Sequence, residues 1–291
     1  FGNYQNVLDQ PRGLFVAQDD NYHWYGFVVN QNTSELVRMD FSFNVSNTPL
    51  MASVGNISNV LGEPTDMAAL KDDGLWYLFV TNKLDNTVAR LDLGTGFDTI
   101  ATDIKGFKIA DFAGDTTFNF RINWPSSISI NKDCGDLYAY VTDSTTSQLI
   151  GIQMATARGG YVGIDYVTVG GMNFPSGISS ILRDGDNLYG FVVNARDSTL
   201  TQLNFTQCFN SSIPSFTSVH PPVYSYDTPG VYNVYFVINQ GKPDMDVDCK
   251  EITVLPNPLA YINPDDTICV GDTLRLYTIS NAADSIRWLS N

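Results

Sequence analysis

A chain of 291 residues in which 43% are hydrophobic and only 16% charged has the apolar material for a large core and does not read as disordered. Its net charge of −15 makes nucleic acid and anionic lipid poor partners, because an acidic surface repels both. The 2 histidines cannot furnish a multi-histidine metal centre and the 4 scattered cysteines contain no CxxC pair for zinc. No apolar run approaches the roughly 18 residues of a membrane span.

The chain opens on FGNYQNVLDQP at 1–11, which returns as VGNISNVLGEP at 54–64, with Gly2 and Gly55 each nine residues before a proline. These first residues read as the tail of an earlier repeat, and more repeats are expected upstream. Pro11, Pro64, Pro125 and Pro175 then anchor four units, spaced 53, 61 and 50 residues apart. Three residues after each proline an apolar residue (Leu14, Met67, Ile128, Ile178) opens a short strand-like run. A polar turn follows, KDDG in the second unit and RDGDN in the fourth. Then comes nearly the same apolar phrase: WYGFVVN at 24–30, LWYLFVTN at 75–82, LYAYVTD at 137–143 and LYGFVVN at 188–194. Six residues beyond its end, Leu36, Val88, Leu149 and Leu200 begin a third strand, and a fourth follows in some units, as in PLMASVGN at 49–56.

Four short strands per repeat of about 50 residues match a propeller blade. A twisted sheet cannot bury both faces alone, but stacked sheets bury each other's. The expectation is an all-β chain whose residues 1–212 form a β-propeller, with at least four four-stranded blades present. The apolar phrase is then a middle strand covered on both sides, which is why it lacks a clean alternation. Tyr25, Tyr77, Tyr138 and Tyr189 share a face with Phe27, Phe79, Tyr140 and Phe191, while Val28, Val80, Val141 and Val192 line the reverse. The phrase ends on Asn30, Asn82, Asp143 and Asn194, which suit a turn. A cation held by a ring of these side chains is the functional alternative.

The pattern stops after LTQLNF at 200–205. A polar bridge leads to YNVYFVI, which alternates strictly before a turn at Asn239–Gly241, and to a second strand at KEITVL, 250–255. This reads as a small sandwich module over 213–256. Pro256 and Pro258 form a linker, and DTICVGDTLRLYTIS opens a further sandwich over 257–291.

PPVYSYDTPGVYNVYFVINQG followed by KEITVLPNP resembles the back half of a PKD domain, although the front-half Trp-Asp-Phe-Gly-Asp-Gly run is absent. DTICVGDTLRLYTISNAADSIRWLSN resembles the Ig-like repeats of Bacteroidota surface proteins, and the repeat body, with WYGFVVN, LVRMDF and VGNISNVL, resembles the propeller region of the same secreted proteins. Such proteins are similar to cargo of the type IX secretion system, some associated with gliding. The resemblance implies export to the cell surface or medium through a C-terminal sorting domain not contained in this sequence. It carries no catalytic motif. In that group Asp-Ser or Asp-Thr followed by an apolar residue or Thr accepts an O-glycan, which implies Thr99, Ser144, Ser198 and Thr273 as candidates. The same pairs are also ordinary turn dipeptides.

No GxSxG, HExxH, Walker loop or GxGxxG after a strand is present. Asp244, Asp246 and Asp248 alternate in PDMDVD, so a strand there puts three hard oxygen donors for Ca²⁺ on one face. The EF-hand rule fails, because Cys249 and Leu255 stand where Gly and Glu are required. An acidic edge that discourages strand pairing is the plainer reading. Cysteines fit an oxidising exterior. The preferred disulfide joins Cys208, where the chain leaves the last repeat, to Cys249 in the next module, closing a loop of about 40 residues worth about 3–4 kcal/mol. Cys134 is unpaired or takes Cys208 instead, and Cys269 seeks a partner beyond residue 291. Two functions are compatible with these residues. One is a non-catalytic surface protein whose propeller rim binds glycans or other surface proteins in adhesion or gliding. The other is an extracellular enzyme acting on a sugar or lactone in the central cavity.

Overall fold

Proline tolerates the first position of a strand, where its missing N–H breaks no ladder. Each anchoring proline holds that place in the computed structural model, which describes residues 2–3, 5–98, 103–111, 122–133, 136–159, 161–167, 170–184, 187–206, 218, 220, 223–239, 246–256, 260–262, 267–280 and 287. The first sheet is an antiparallel meander of β1 (Pro11–Gln18), β2 (Trp24–Asn30), β3 (Glu35–Ser42) and β4 (Leu50–Gly55). A single 3-10 turn, Ile57–Asn59, leads out of it. The second sheet has the same order: β5 (Pro64–Asp72), β6 (Leu75–Asn82), β7 (Thr87–Gly94) and β8 (Lys105–Asp111). The third is β9 (Pro125–Asp133), β10 (Asp136–Asp143), β11 (Gln148–Met154) and β12 (Tyr161–Val167).

The fourth sheet departs from the pattern. Its first strand is split into β13 (Pro175–Ile178) and β14 (Leu182–Asp184), both paired to β15 (Asn187–Asn194), with β16 (Thr199–Thr206) on the far side. At the split, Ser179 exchanges hydrogen bonds with Phe191: its N–H donates to the Phe191 carbonyl at 2.9 Å, and its hydroxyl accepts from the Phe191 N–H at 3.0 Å. The ladder is thus bridged across the gap.

The apolar phrase is the second strand in every sheet. In β2 and β6 every residue but the first is buried. Its two faces go to different neighbours. Tyr25, Phe27 and Val29 of the first sheet pack with Trp76, Leu78 and Val80 of the second. Tyr77 and Phe79, on the opposite face of the second sheet, pack with Leu137, Ala139 and Val141 of the third. Tyr140 and Tyr138 pack in turn with Leu188 and Val192 of the fourth. A front bearing two aromatic rings therefore meets the back of the next sheet three times over, and each fully buried Phe or Leu contributes roughly 1.5–3 kcal/mol of transfer free energy. The first strands lie side by side as well: β1 beside β5, β5 beside β9, β9 beside β13. Sheets stacked face to face in chain order with their first strands adjoining make this an all-β, propeller-like arrangement.

The chain divides into two units, one of 1–209 with 235–249 and one of 210–234 with 250–291. Beyond the fourth sheet the described strands form two hairpins, β17 (Gly230–Ile238) with β18 (Asp246–Val254), and β19 (Ala260–Ile262) with β20 (Thr278–Ser280). Among the described residues, none of the buried apolar side chains lies beyond Leu203. A two-stranded ribbon has no second layer to cover either face. No helix among the described residues is long and apolar enough to cross a membrane.

Candidate functional site

The polar side chains that the repeats place next to the stacked faces gather at one end of the second strands, where the chain enters each sheet. They form three devices that recur from sheet to sheet. The first uses the residue that ends the apolar phrase. Asn30, Asn82, Asp143 and Asn194 are each no more than 1% exposed. Each occupies the last position of its strand, and its side chain reaches back about twenty residues in sequence to accept the N–H two before its own sheet's anchoring proline. Asp9 donates to Asn30 at 3.0 Å, Gly62 to Asn82 at 3.0 Å, Asn123 to Asp143 at 2.6 Å and Asn173 to Asn194 at 3.1 Å. The carboxamides also donate onward, to the Val7 carbonyl at 2.7 Å, Val60 at 2.8 Å and Gly171 at 3.3 Å. These residues clamp the incoming segment rather than simply shaping their own turn. Asp143 does both, since its other oxygen accepts the Thr145 and Thr146 N–H groups at 2.8 and 2.9 Å. The hydrogen-bonding capacity that a ring of cation ligands would need is spent on backbone.

The second device links neighbouring sheets. Four residues past each phrase, Ser34, Asn86, Ser147 and Ser198 end the tight turn at φ between 54° and 57°. The residues just before the anchors, Gln10, Glu63, Trp124 and Phe174, are also left-handed, at φ 48°, 43°, 61° and 53°. A bulky side chain there costs roughly 1–2 kcal/mol, so something must hold it. The holder is the turn of the preceding sheet. Ser34 accepts the Glu63 N–H at 3.0 Å, Asn86 the Trp124 N–H at 3.0 Å, and Ser147 the Phe174 N–H at 3.0 Å.

The third device comes from a bulge. Register slips by one residue just after Pro64, Pro125 and Pro175, leaving Thr65, Ser126 and Ser176 outside the ladder. The freed hydroxyls of Thr65 and Ser126 donate to the next sheet's proline carbonyl, Pro125 at 2.7 Å and Pro175 at 2.7 Å. Beside them Asp66 ties the second and third sheets. Its Oδ2 accepts the Ser127 hydroxyl and, at 3.1 Å, the Ile128 N–H, and its Oδ1 accepts the Met67 N–H at 2.8 Å. Ser127 Oγ then accepts the Ile178 N–H of the fourth sheet at 3.0 Å. Burial raises the Asp66 carboxyl above the ordinary 3.8, with those three hydrogen bonds pulling the other way. Further out, Asp72 pairs with Lys132 at 3.1 Å and accepts the Ala157 N–H at 3.1 Å. Between the first two sheets Tyr25 is pushed from 10.0 up to about 12, first by burial and then by Asp40.

The candidate calcium ligands, cysteines and glycan acceptors are placed as follows where the structure describes them. Asp244 falls outside the described residues. Asp246 and Asp248 are in β18, and Asp248 is exposed. Cys208 and Cys134 lie outside the described residues, Cys249 is in β18, and Cys269 is exposed with a free thiol. Of the candidate glycan acceptors, Thr99 lies outside the described residues, and Ser198 and Thr273 face solvent. Ser144 is buried, and its hydroxyl donates to the Trp124 carbonyl at 3.1 Å. The polar columns that do meet are Ser/Asn four after the phrase and Thr/Ser one after the proline, neither of them a candidate site in the sequence. Their signal is the recurrence of Ser34, Asn86, Ser147 and Ser198 at one offset.

No family model matches the chain, and no curated protein matches it. Solved structures similar to it include an α-L-arabinofuranosidase of Clostridium thermocellum, at 9% identity and a TM-score of 0.47, covering 69% of this chain and 70% of that one. A luciferin-regenerating enzyme is similar at 12% identity and a TM-score of 0.40, with 70% of this chain and 63% of that chain covered. A thermostable family-43 glycoside hydrolase is similar at 9% identity and a TM-score of 0.45, with coverage of 84% and 91%. Likenesses this distant transfer no activity, and the propeller-like description stands on the stacking of the sheets themselves.

Proposed function

We propose that the four sheets are blades of a β-propeller head that serves as a non-catalytic recognition scaffold outside the cell. PKD-like and Ig-like modules follow it as a spacer. Its partners are glycans or proteins of the cell surface, met by the loops that a rigid frame holds out. The same reading takes the protein to the cell surface through the type IX secretion machinery.

One observation carries this reading. The two acidic side chains described on first strands, Asp66 and Asp72, are both spent on neighbouring sheets, through Ser127 and Ile128 in one case and Lys132 and Ala157 in the other. A catalytic carboxylate has to exchange partners with a substrate during the reaction, and a carboxylate saturated by its own fold is poorly placed to do so. The same bonds make the frame stiff, which suits presentation of loops. The test is a glycan array and a panel of aryl glycosides and lactones, run on the whole chain. Saturable glycan or protein binding without turnover is expected. Turnover that disappears in Asp66→Asn would overturn the proposal in favour of an enzyme.

A further inference from the structure

The clamps, turn links and bulge hydroxyls at the end where the second strands stop are spent on the fold, but the junction of the second and third sheets carries side chains that are not. Trp124 is 48% exposed, and Leu84, in the turn of the second sheet, is 68% exposed. The sheet faces at this junction are covered, since Tyr77 and Phe79 of the second sheet pack with Leu137, Ala139 and Val141 of the third. The exposure of Trp124 therefore does not arise from an uncovered sheet face.

The linking role of its position does not account for an indole. Trp124 is left-handed at φ 61°, and its N–H is held by Asn86 at 3.0 Å. Both are backbone features, and Gln10 and Glu63 take the same conformation with other side chains. A left-handed backbone is costly for a bulky residue, and an exposed indole leaves a large apolar ring in water. Neither helps the sheets to join.

The ring is nonetheless fixed. Lys83 Nζ lies over it, 4.3 Å from the centroid, and Lys83 is itself paired with Glu63 at 3.8 Å. A ring already held loses little freedom when a ligand stacks on it. The backbone of Trp124 is also flanked by polar groups that have no partner among the described residues. One is the amide nitrogen of Asn86, whose oxygen takes the Trp124 N–H. The others are the hydroxyls of Thr145 and Thr146, both exposed, in the turn that Ser144 ties to the Trp124 carbonyl at 3.2 Å through its N–H and 3.1 Å through its hydroxyl.

These features select a ligand class. Two apolar side chains are far fewer than the roughly 20–30 residues a side that a standard protein interface uses. Lys83 is already paired, so an acidic ligand finds no unspent cation on the ring. An aromatic ring bordered by neutral donors and acceptors matches a pyranose, which has an apolar C–H face and a rim of neutral hydroxyls. We infer that Trp124 is the stacking platform for a neutral pyranose residue of a glycan, with Asn86, Thr145 and Thr146 bonding the sugar's hydroxyls. This rests on the recognition reading above and gives it a site and a sugar class.

Isothermal titration calorimetry of the whole chain tests this, with cellohexaose, mannohexaose and laminarihexaose as neutral probes and the hexamer of galacturonic acid as an acidic one. Trp124→Gln is the main variant, because Gln10 already holds this backbone conformation in the first sheet. At least one neutral hexamer is expected to bind saturably, about tenfold or more weakly to Trp124→Gln and within about threefold of wild type to Trp124→Phe, which keeps a ring. Thr145→Val, which touches no link between sheets, is an independent variant expected to bind several-fold more weakly. No neutral hexamer bound at about 10 mM, binding confined to the acidic hexamer, or neutral binding unchanged in Trp124→Gln and Thr145→Val would each overturn the inference. So would a protein partner, rather than a glycan, lost in Trp124→Gln. The recognition reading fails by a different result, turnover that disappears in Asp66→Asn, so glycan binding that survives Trp124→Gln would move the site and leave that reading standing.

Discussion

Phe79 and Phe191 occupy the same place in the repeat and differ only in what lies in front of them. Phe79 is 0% exposed between the second and third sheets, and Phe191 is 41% exposed. Truncating a fully buried Phe to Ala costs about 3–5 kcal/mol, from lost transfer free energy plus the cavity left behind. With an m-value of about 3 kcal/mol per M urea, Phe79→Ala should lower the unfolding midpoint by about 1–1.7 M. Phe191→Ala leaves no closed cavity and removes a side chain that is already half in water, so about 1 kcal/mol or less is expected. Fluorescence reports the transition, since Trp76 is buried between the first two sheets. Equal losses for the two variants, or a loss below about 1 kcal/mol for Phe79→Ala, would refute face-to-face stacking as the source of stability.

Three further outcomes follow from the hydrogen bonds. Asn82→Ala strips partners from the Gly62 N–H and the Val60 carbonyl inside the core, and a loss of about 2–5 kcal/mol is expected by urea titration. Asp66 has a folded-state carboxyl pushed upward by burial, so its contribution is greatest below the unfolded value and declines as pH rises through the folded value. The stability of wild type relative to Asp66→Asn should therefore fall as pH rises from about 4, and a relative gain over that range would contradict the assignment. Tyr25, held up to about 12, should titrate later than the exposed tyrosines when tyrosinate absorbance is followed, and its contribution to stability should fade between 10 and that value. Early ionisation of every tyrosine would place Tyr25 in water.

The repeat and its stacking were readable because apolar residues that face two neighbours leave no alternation, and the phrase shows this four times. The alternate aromatic and aliphatic columns follow from the two-residue period of a strand, and Tyr77 with Phe79 on one face and Leu78 with Val80 on the other bear this out. The role of the closing Asn or Asp was not readable in full. A turn residue and a clamp look alike in sequence, and only the fold brings Asn82 to Val60 and Gly62. Likewise Asp66 is one acidic residue among many until the stacking of β5 and β9 sets it beside Ser127. The split of the fourth sheet's first strand at Ser179 was hidden for a related reason. Its hydroxyl supplies the missing ladder bond, which a pattern of apolar positions cannot register.

Hydrogen exchange at four equivalent amides tests the interlocking of the sheets most directly. The N–H groups of Glu63, Trp124 and Phe174 are each held by the preceding sheet's turn, while Gln10 occupies the same backbone position in the first sheet and is exposed. The first three should exchange about a hundredfold or more slowly than Gln10, because only opening between sheets exposes them. Exchange at Glu63, Trp124 and Phe174 as fast as at Gln10 would mean that successive sheets are not joined in this way.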